Sequence, residues 1–185
     1  MSNIKKDKVI SDIEMIYKHG DCKYAIWNYV PKNFWVKQFR DWFPDIYFEN
    51  ETDFNYSVCF SMSLSLSLIN GGLMSKEFDD LIKEKGLVDF LVSDISVLAP
   101  YAIVRYVRYR LIDNESIPFS SYVPFESEHT KYGDKLKKHL QEKGITLLDD
   151  EILFAKVDAG ISLENRTEDV RVYNCLFNDT DVWPR

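Results

Sequence analysis

Apolar residues recur along this chain with two different periods, and the switching between them sets the expected order of elements. Residues 8 to about 19 place Val9, Ile13, Ile16 and Tyr17 at helical spacing, with Gly20 as a stop. A second helical stretch covers part of 23–43, where Pro31 must begin a turn or a new helix. Its second half is crowded with Phe34, Trp35, Val36, Phe39, Trp42 and Phe43. From Ser57 to Leu68 the period becomes two. Val58, Phe60, Met62, Leu64, Leu66 and Leu68 fall on one side, and Ser57, Cys59, Ser61, Ser63, Ser65 and Ser67 on the other. That is a strand with one apolar face and one small, polar face, ended by Asn70-Gly71-Gly72.

The next helix is well punctuated. Ser75 stands at the N-cap, Phe78, Leu81 and Ile82 form the stripe, Lys83 and Lys85 occupy the last turn, and Gly86 closes it. Strands are expected over Val88 to Leu98 and Tyr101 to Ile112, reversing at Ala99-Pro100. Asn114 to Glu128 contains Pro118 and Pro124 and reads as a surface loop. Lys131 to Lys143 predicts a basic helix with Tyr132, Leu136 and Leu140 along one stripe. Ile145 to Leu148 is a short strand candidate. Residues 149–169 read as acidic and irregular, with Asp149 or Asp150 capping a short helix, and Val170 to Phe177 reads as a final strand.

This order predicts one α+β domain over residues 1–185. A mainly antiparallel sheet formed from 57–177 carries helices on one face, and the N-terminal helical block 8–43 packs on it. An α/β fold with a mixed sheet is the alternative, since strand–helix–strand units are present. The length of 185 residues and an apolar fraction of 45% suit a single core. No run reaches the ~18 apolar residues of a membrane helix, and the start of the chain lacks a leader's pattern, so a cytoplasmic location and no membrane partner are expected. Three widely spaced cysteines, Cys22, Cys59 and Cys175, argue against a disulfide framework.

Charge changes the picture more. The net charge is −7, which disfavours bulk attraction to nucleic acid. It is also clustered: residues 41–56 hold five acids and no base, and 149–169 hold seven acids against two bases. Catalytic patterns are missing. His19, His129 and His139 have no His-x-x-x-His or His-Glu-x-x-His neighbour. Gly71-Gly72 belongs to no phosphate-binding loop, and the serine-rich strand has no nucleophile elbow. Asp149-Asp150-Glu151 would need to converge to hold a cation, which sequence neighbours rarely do. Neither a metal nor a cofactor is expected. Tyr101 to Arg110 interleaves tyrosine and arginine, the residue types that favour ion pairs within a fold, protein interfaces or, less often, bases.

The function expected from these features is a non-catalytic, intracellular protein-binding module that engages a basic partner through clustered acidic surface. Bacterial immunity proteins, which neutralise toxins such as nucleases, are a class-level example of small, acidic proteins without catalytic residues; no family motif carries that comparison. Candidate contacts are Asp45, Glu49, Glu51 and Asp53, then Asp149, Asp150 and Glu151, with Tyr106 and Arg108 from the arginine–tyrosine strand. Two alternatives stand beside it. One is a homo-oligomeric structural or regulatory subunit. The other is a small enzyme assembled from scattered residues, of which His129, Glu128, Asp150 and Cys175 come first.

Overall fold

The computed structural model describes residues 2–21, 23–25, 33–55, 57–67, 69–73, 75–157, 160–165 and 168–178. Cys22, Pro31 and Leu68 lie outside them. Helix α1 (Ser2–His19) ends where the Gly20 and Asp21 amides turn back onto the carbonyls of Ile16 and Met15. Gly20 adopts φ 66°, the left-handed conformation this closure requires. Helix α2 (Phe34–Trp42) carries the aromatic block, and β1 (Phe48–Asn50) follows inside the first acidic segment. Strand β2 (Cys59–Ser65) leads to α3 (Lys76–Lys85), which Ser75 caps by accepting the Phe78 amide at 3.1 Å. Then come β3 (Leu87–Ser96), β4 (Tyr101–Ile112) and β5 (Glu115–Ser121). A 3-10 turn over Ser127–His129 opens α4 (Thr130–Glu142), followed by β6 (Thr146–Leu147), α5 (Asp150–Leu153) and α6 (Val172–Leu176).

The strands form one sheet in the order β1-β2-β3-β4-β5, antiparallel throughout, with β6 added in parallel to β4. The α+β class read from the sequence is therefore the observed one, with a helical layer on one face of the sheet. That face is built from Phe60, Met62 and Leu64 opposite Ile95, Ser93 and Leu91, which in turn stand opposite Ala102, Val104 and Tyr106. Trp35, Phe39 and Trp42 of α2 and Leu136 and Leu140 of α4 close over it in one apolar cluster. Phe39, Leu136 and Leu140 are fully buried, so cutting any one to alanine costs about 2–5 kcal/mol.

On the opposite face the helices pack only at the ends. Val9 and Ile13 of α1 and the apolar side chains of α6 pack on Cys59, Tyr101 and Ile103. At the other end, Phe78 and Ile82 of α3 pack on Val88 and Phe90. Between these two patches run Ser61 and Ser63 of β2, Val92 and Asp94 of β3, and Arg105 and Val107 of β4. The alternating serines expected to form a polar face stand here.

Three expectations are corrected. Residues 115–121 form strand β5, not a loop. The two-residue turn Asp113-Asn114 has both φ angles positive (50° and 68°), so Ile112↔Glu115 and Arg110↔Ile117 are the hydrogen-bonded pairs. Pro118, opposite Tyr109, then turns its nitrogen to the open edge, where no amide hydrogen is needed. Val170 to Phe177 is not a strand, because its central residues form α6. A short run buried on every side has no period that separates strand from helix. Finally, Tyr106 and Arg108 point into the helical layer and are interior, so neither can serve as a partner contact.

Candidate partner-binding face

The middle of the second sheet face lies at the floor of a trough. β3 and β4 bring Asp94 and Arg105 together diagonally on that face, and the Arg105 Nη2 donates to Asp94 Oδ2 at 2.7 Å. Both side chains are under a tenth exposed. A buried pair of this kind survives only if its remaining hydrogen-bond capacity is used. Ser61 contributes by donating its hydroxyl to Asp94 Oδ1 at 2.7 Å. Burial pulls the Arg105 guanidinium below the ordinary arginine range, and the Asp94 charge opposes that pull.

The edge strand adds a second layer of acid. Glu51 follows β1, and its carboxylate accepts the Ser63 hydroxyl at 2.6 Å. Burial raises its pKa, the Ser63 hydrogen bond works against that, and the neighbouring Glu49 and Asp94 charges raise it further. Glu49 lies so close to Gly72 that a Cβ there would fall 1.3 Å from its carboxylate oxygen. Asp53 is exposed and shapes the following turn, accepting the Asn55 amide at 2.9 Å and its side-chain amide at 2.8 Å.

Three cavities lie side by side along this trough and share lining residues. A polar one of about 290 Å³ has Glu51, Asp53, Ser57, Asp94 and Arg105 in its walls. Across Ser57 it meets one of about 160 Å³, between Phe54 and Asn55 on one side and Leu163, Glu164 and Asn165 on the other. Toward α3 it shares Glu51, Ser61 and Arg105 with a third of about 200 Å³, which Val92, Tyr109 and Pro118 also line. The two acidic segments, about a hundred residues apart in the chain, thus meet across one cleft. Phe54 stands among the acids with 39% of its surface exposed.

The chain matches no protein-family model, no curated protein and no solved structure. Function has to be argued from this geometry.

The other candidates are scattered. Asp149 caps α5, accepting the Ile152 amide at 3.2 Å, as the sequence suggested. Asp150 accepts the Tyr122 hydroxyl at 2.8 Å, and burial followed by this bond raises the Tyr122 pKa. Glu151 is exposed on the same short helix. Asp45 belongs to a different cleft, between α2 and α4. Arg108 forms a two-pronged pair with Asp89 on the helical side, Nε and Nη2 each at 2.7 Å, and Nη2 also reaches Glu126 at 2.7 Å. Those hydrogen bonds, led by Asp89, push the Arg108 pKa up and hold that of Glu126 down. Arg105 and Arg108 of the tyrosine-rich strand thus pair with β3 aspartates inside the fold, while Arg110 lies over the Phe119 ring.

The residues proposed for a dispersed active site do not converge. His129 sits 3.6 Å from Asp89 on the helical side, with Glu128 3.8 Å away. Cys175 lies in the α1–α6 cluster beneath the other face, where burial pushes its thiol up to about 12. A thiol held there is not a nucleophile near neutral pH. Among the described residues no group of His, Cys, Asp and Glu could hold a metal ion, and no helix is long and apolar enough to cross a membrane.

Sequence reasoning missed Asp94, Arg105, Phe54 and Glu164 as residues of one face. A signal existed for the first pair. Asp89 and Asp94 are the charged positions of β3, and Arg105 and Arg108 stand in the next strand, so neighbouring strands hold matched inward charges.

Proposed function

We propose that the protein is a non-catalytic binding module whose acidic trough receives a basic protein partner. One observation carries the reading: residues from both acidic segments border neighbouring cavities, one of which also exposes an aromatic side chain. The acids Glu51, Asp53 and Glu164 supply the negative potential, while Arg105 is already committed to Asp94. Such a field accelerates and orients encounter with a cationic surface. Phe54 supplies the apolar anchor that charge alone does not, since aromatic side chains contribute most of the affinity at many interfaces. A toxin-neutralising role of the immunity type is the specific form of this reading, in which the trough occludes a basic catalytic surface.

The test uses tagged full-length protein to capture partners from an extract of its native host, at low and at moderate salt. Glu164→Lys combined with Asp53→Asn is run beside it; the asparagine keeps the Oδ1 acceptor on which the Asn55 turn depends. A stoichiometric basic protein that is lost with the variant, and loosened by salt, supports the reading. Equal capture by both forms rejects the trough as the binding surface.

A further inference from the structure

Another cleft lies on the other side of the sheet, and its chemistry is opposite in sign. It measures about 500 Å³ and lies between the end of α2 and the start of α4. Trp42, Phe43, Ile46 and Tyr132 form its apolar walls, and Lys131 and Lys135 stand on its rim. The Lys131 ammonium sits 4.7 Å from the Tyr132 ring centre and that of Lys135 5.1 Å from the Phe43 ring centre. Neither has a carboxylate within ion-pairing distance among the described residues. Asp45 is the one acid on the rim. In a chain of net charge −7, Thr130–Glu142 carries four lysines against two acids.

We infer that this cleft is a second binding site, for an acidic peptide segment bearing one bulky apolar side chain. The apolar walls take the side chain. The two lysines, held over aromatic faces, meet its flanking carboxylates. A peptide is favoured over a compact anion because the cationic row continues beyond the cleft. Lys131, Lys135 and Lys138 follow one another at spacings of four and three along one helix face, the last of them 3.9 Å from the exposed carboxylate of Glu142. They span about 10 Å at the helical rise, a reach that matches three or four residues of an extended chain. Charge complementarity also keeps this segment off the acidic trough.

The experiment is a titration of isotope-labelled full-length protein, followed by NMR, with the blocked peptide Glu-Glu-Phe-Glu-Glu. Two control peptides replace its phenylalanine by alanine or its glutamates by lysine. Shifts confined to the end of α2 and the first turns of α4 are expected. Affinity should fall at least tenfold for K131E/K135E and for the alanine peptide, with no shifts at the cleft from the lysine peptide. Both lysines are exposed, so the variant keeps its fold, which its spectrum checks directly. Equal binding by K131E/K135E, shifts elsewhere, or none at millimolar peptide would overturn the inference. The acidic trough is untouched by these substitutions, so the two sites stand or fall separately.

Discussion

At the scale of single residues, the clearest constraint is a close approach. Gly133 lies in α4 where a Cβ would come within 1.9 Å of the Tyr106 hydroxyl oxygen. Tyr106 is 2% exposed beneath α4 and has no free direction in which to move. Glycine in a helix interior costs about 1 kcal/mol relative to alanine, so an ordinary helix would gain from Gly133→Ala. Here the substitution should destabilise by about 1–3 kcal/mol, the cost of overpacking a core. Adding Tyr106→Phe removes the clashing oxygen and should recover part of the loss in a double-mutant cycle on urea unfolding. Additive effects would show that the contact does not limit the packing. The contact is not legible in sequence: no local pattern brings Gly133 to Tyr106, which the sequence offers only as a candidate partner contact.

Glu51 makes a second residue-scale case. Its pKa is raised in the folded state, chiefly by burial. The native protein therefore holds a proton that the unfolded chain gives up near pH 4.3. Stability must fall as pH rises from that value through the folded pKa, and the cost persists above it. Glu51→Gln keeps an acceptor for Ser63 and removes the charge. It should raise Tm at pH 7. At pH 3.5 the difference should vanish. A difference independent of pH would refute this assignment. A carboxylate kept at a cost to stability is what a binding face requires.

At the scale of elements, the sequence read best where a period or a cap was strong. β4 was expected over Tyr101 to Ile112 and is found there, and the caps of α3 stand where Ser75 and Gly86 put them. Reading failed where one residue type has two meanings. Pro118 suggested a loop because proline lacks a donor, yet an edge strand has positions where no donor is wanted. The same proline blunts the open edge of β5 against pairing with another chain. The β4–β5 turn tests this account of the hairpin. Asn114 holds φ 68°, a conformation that glycine adopts freely. Asn114→Gly makes the Asp-Gly pair that such turns prefer, so it should leave the register intact and stabilise by about a few tenths of a kcal/mol, the relief of positive φ exceeding glycine's greater freedom in the unfolded chain. Thermal unfolding reads the sign, and a loss of stability would contradict the turn geometry.

For the whole molecule, the sheet separates two chemistries. One side presents an acidic trough with an exposed phenylalanine, the other an aromatic cleft rimmed by lysine. The clustering of acids was legible in the sequence, but their meeting was not. It depends on β1 pairing with β2, and on residues 163–165 lying across a cleft from Phe54 and Asn55. Contacts between residues about a hundred positions apart leave no local pattern to read. The arginine–tyrosine strand shows the converse. Its charges stood out in the sequence, yet the fold spends Arg105 and Arg108 on the aspartates of β3.

The central claim is that the trough, and not net charge in general, selects the partner. The most direct measurement compares the association rate of the captured basic protein with wild type, with Glu164→Lys/Asp53→Asn, and with a control that lowers the charge by the same amount elsewhere. Removing three negative charges at Glu77, Asp79 and Asp80 on exposed α3 provides that control. The account predicts slowing by tenfold or more for the trough variant at low salt, and a small change for the control. Equal slowing by both would contradict it, because the acidity would then act only as a diffuse field.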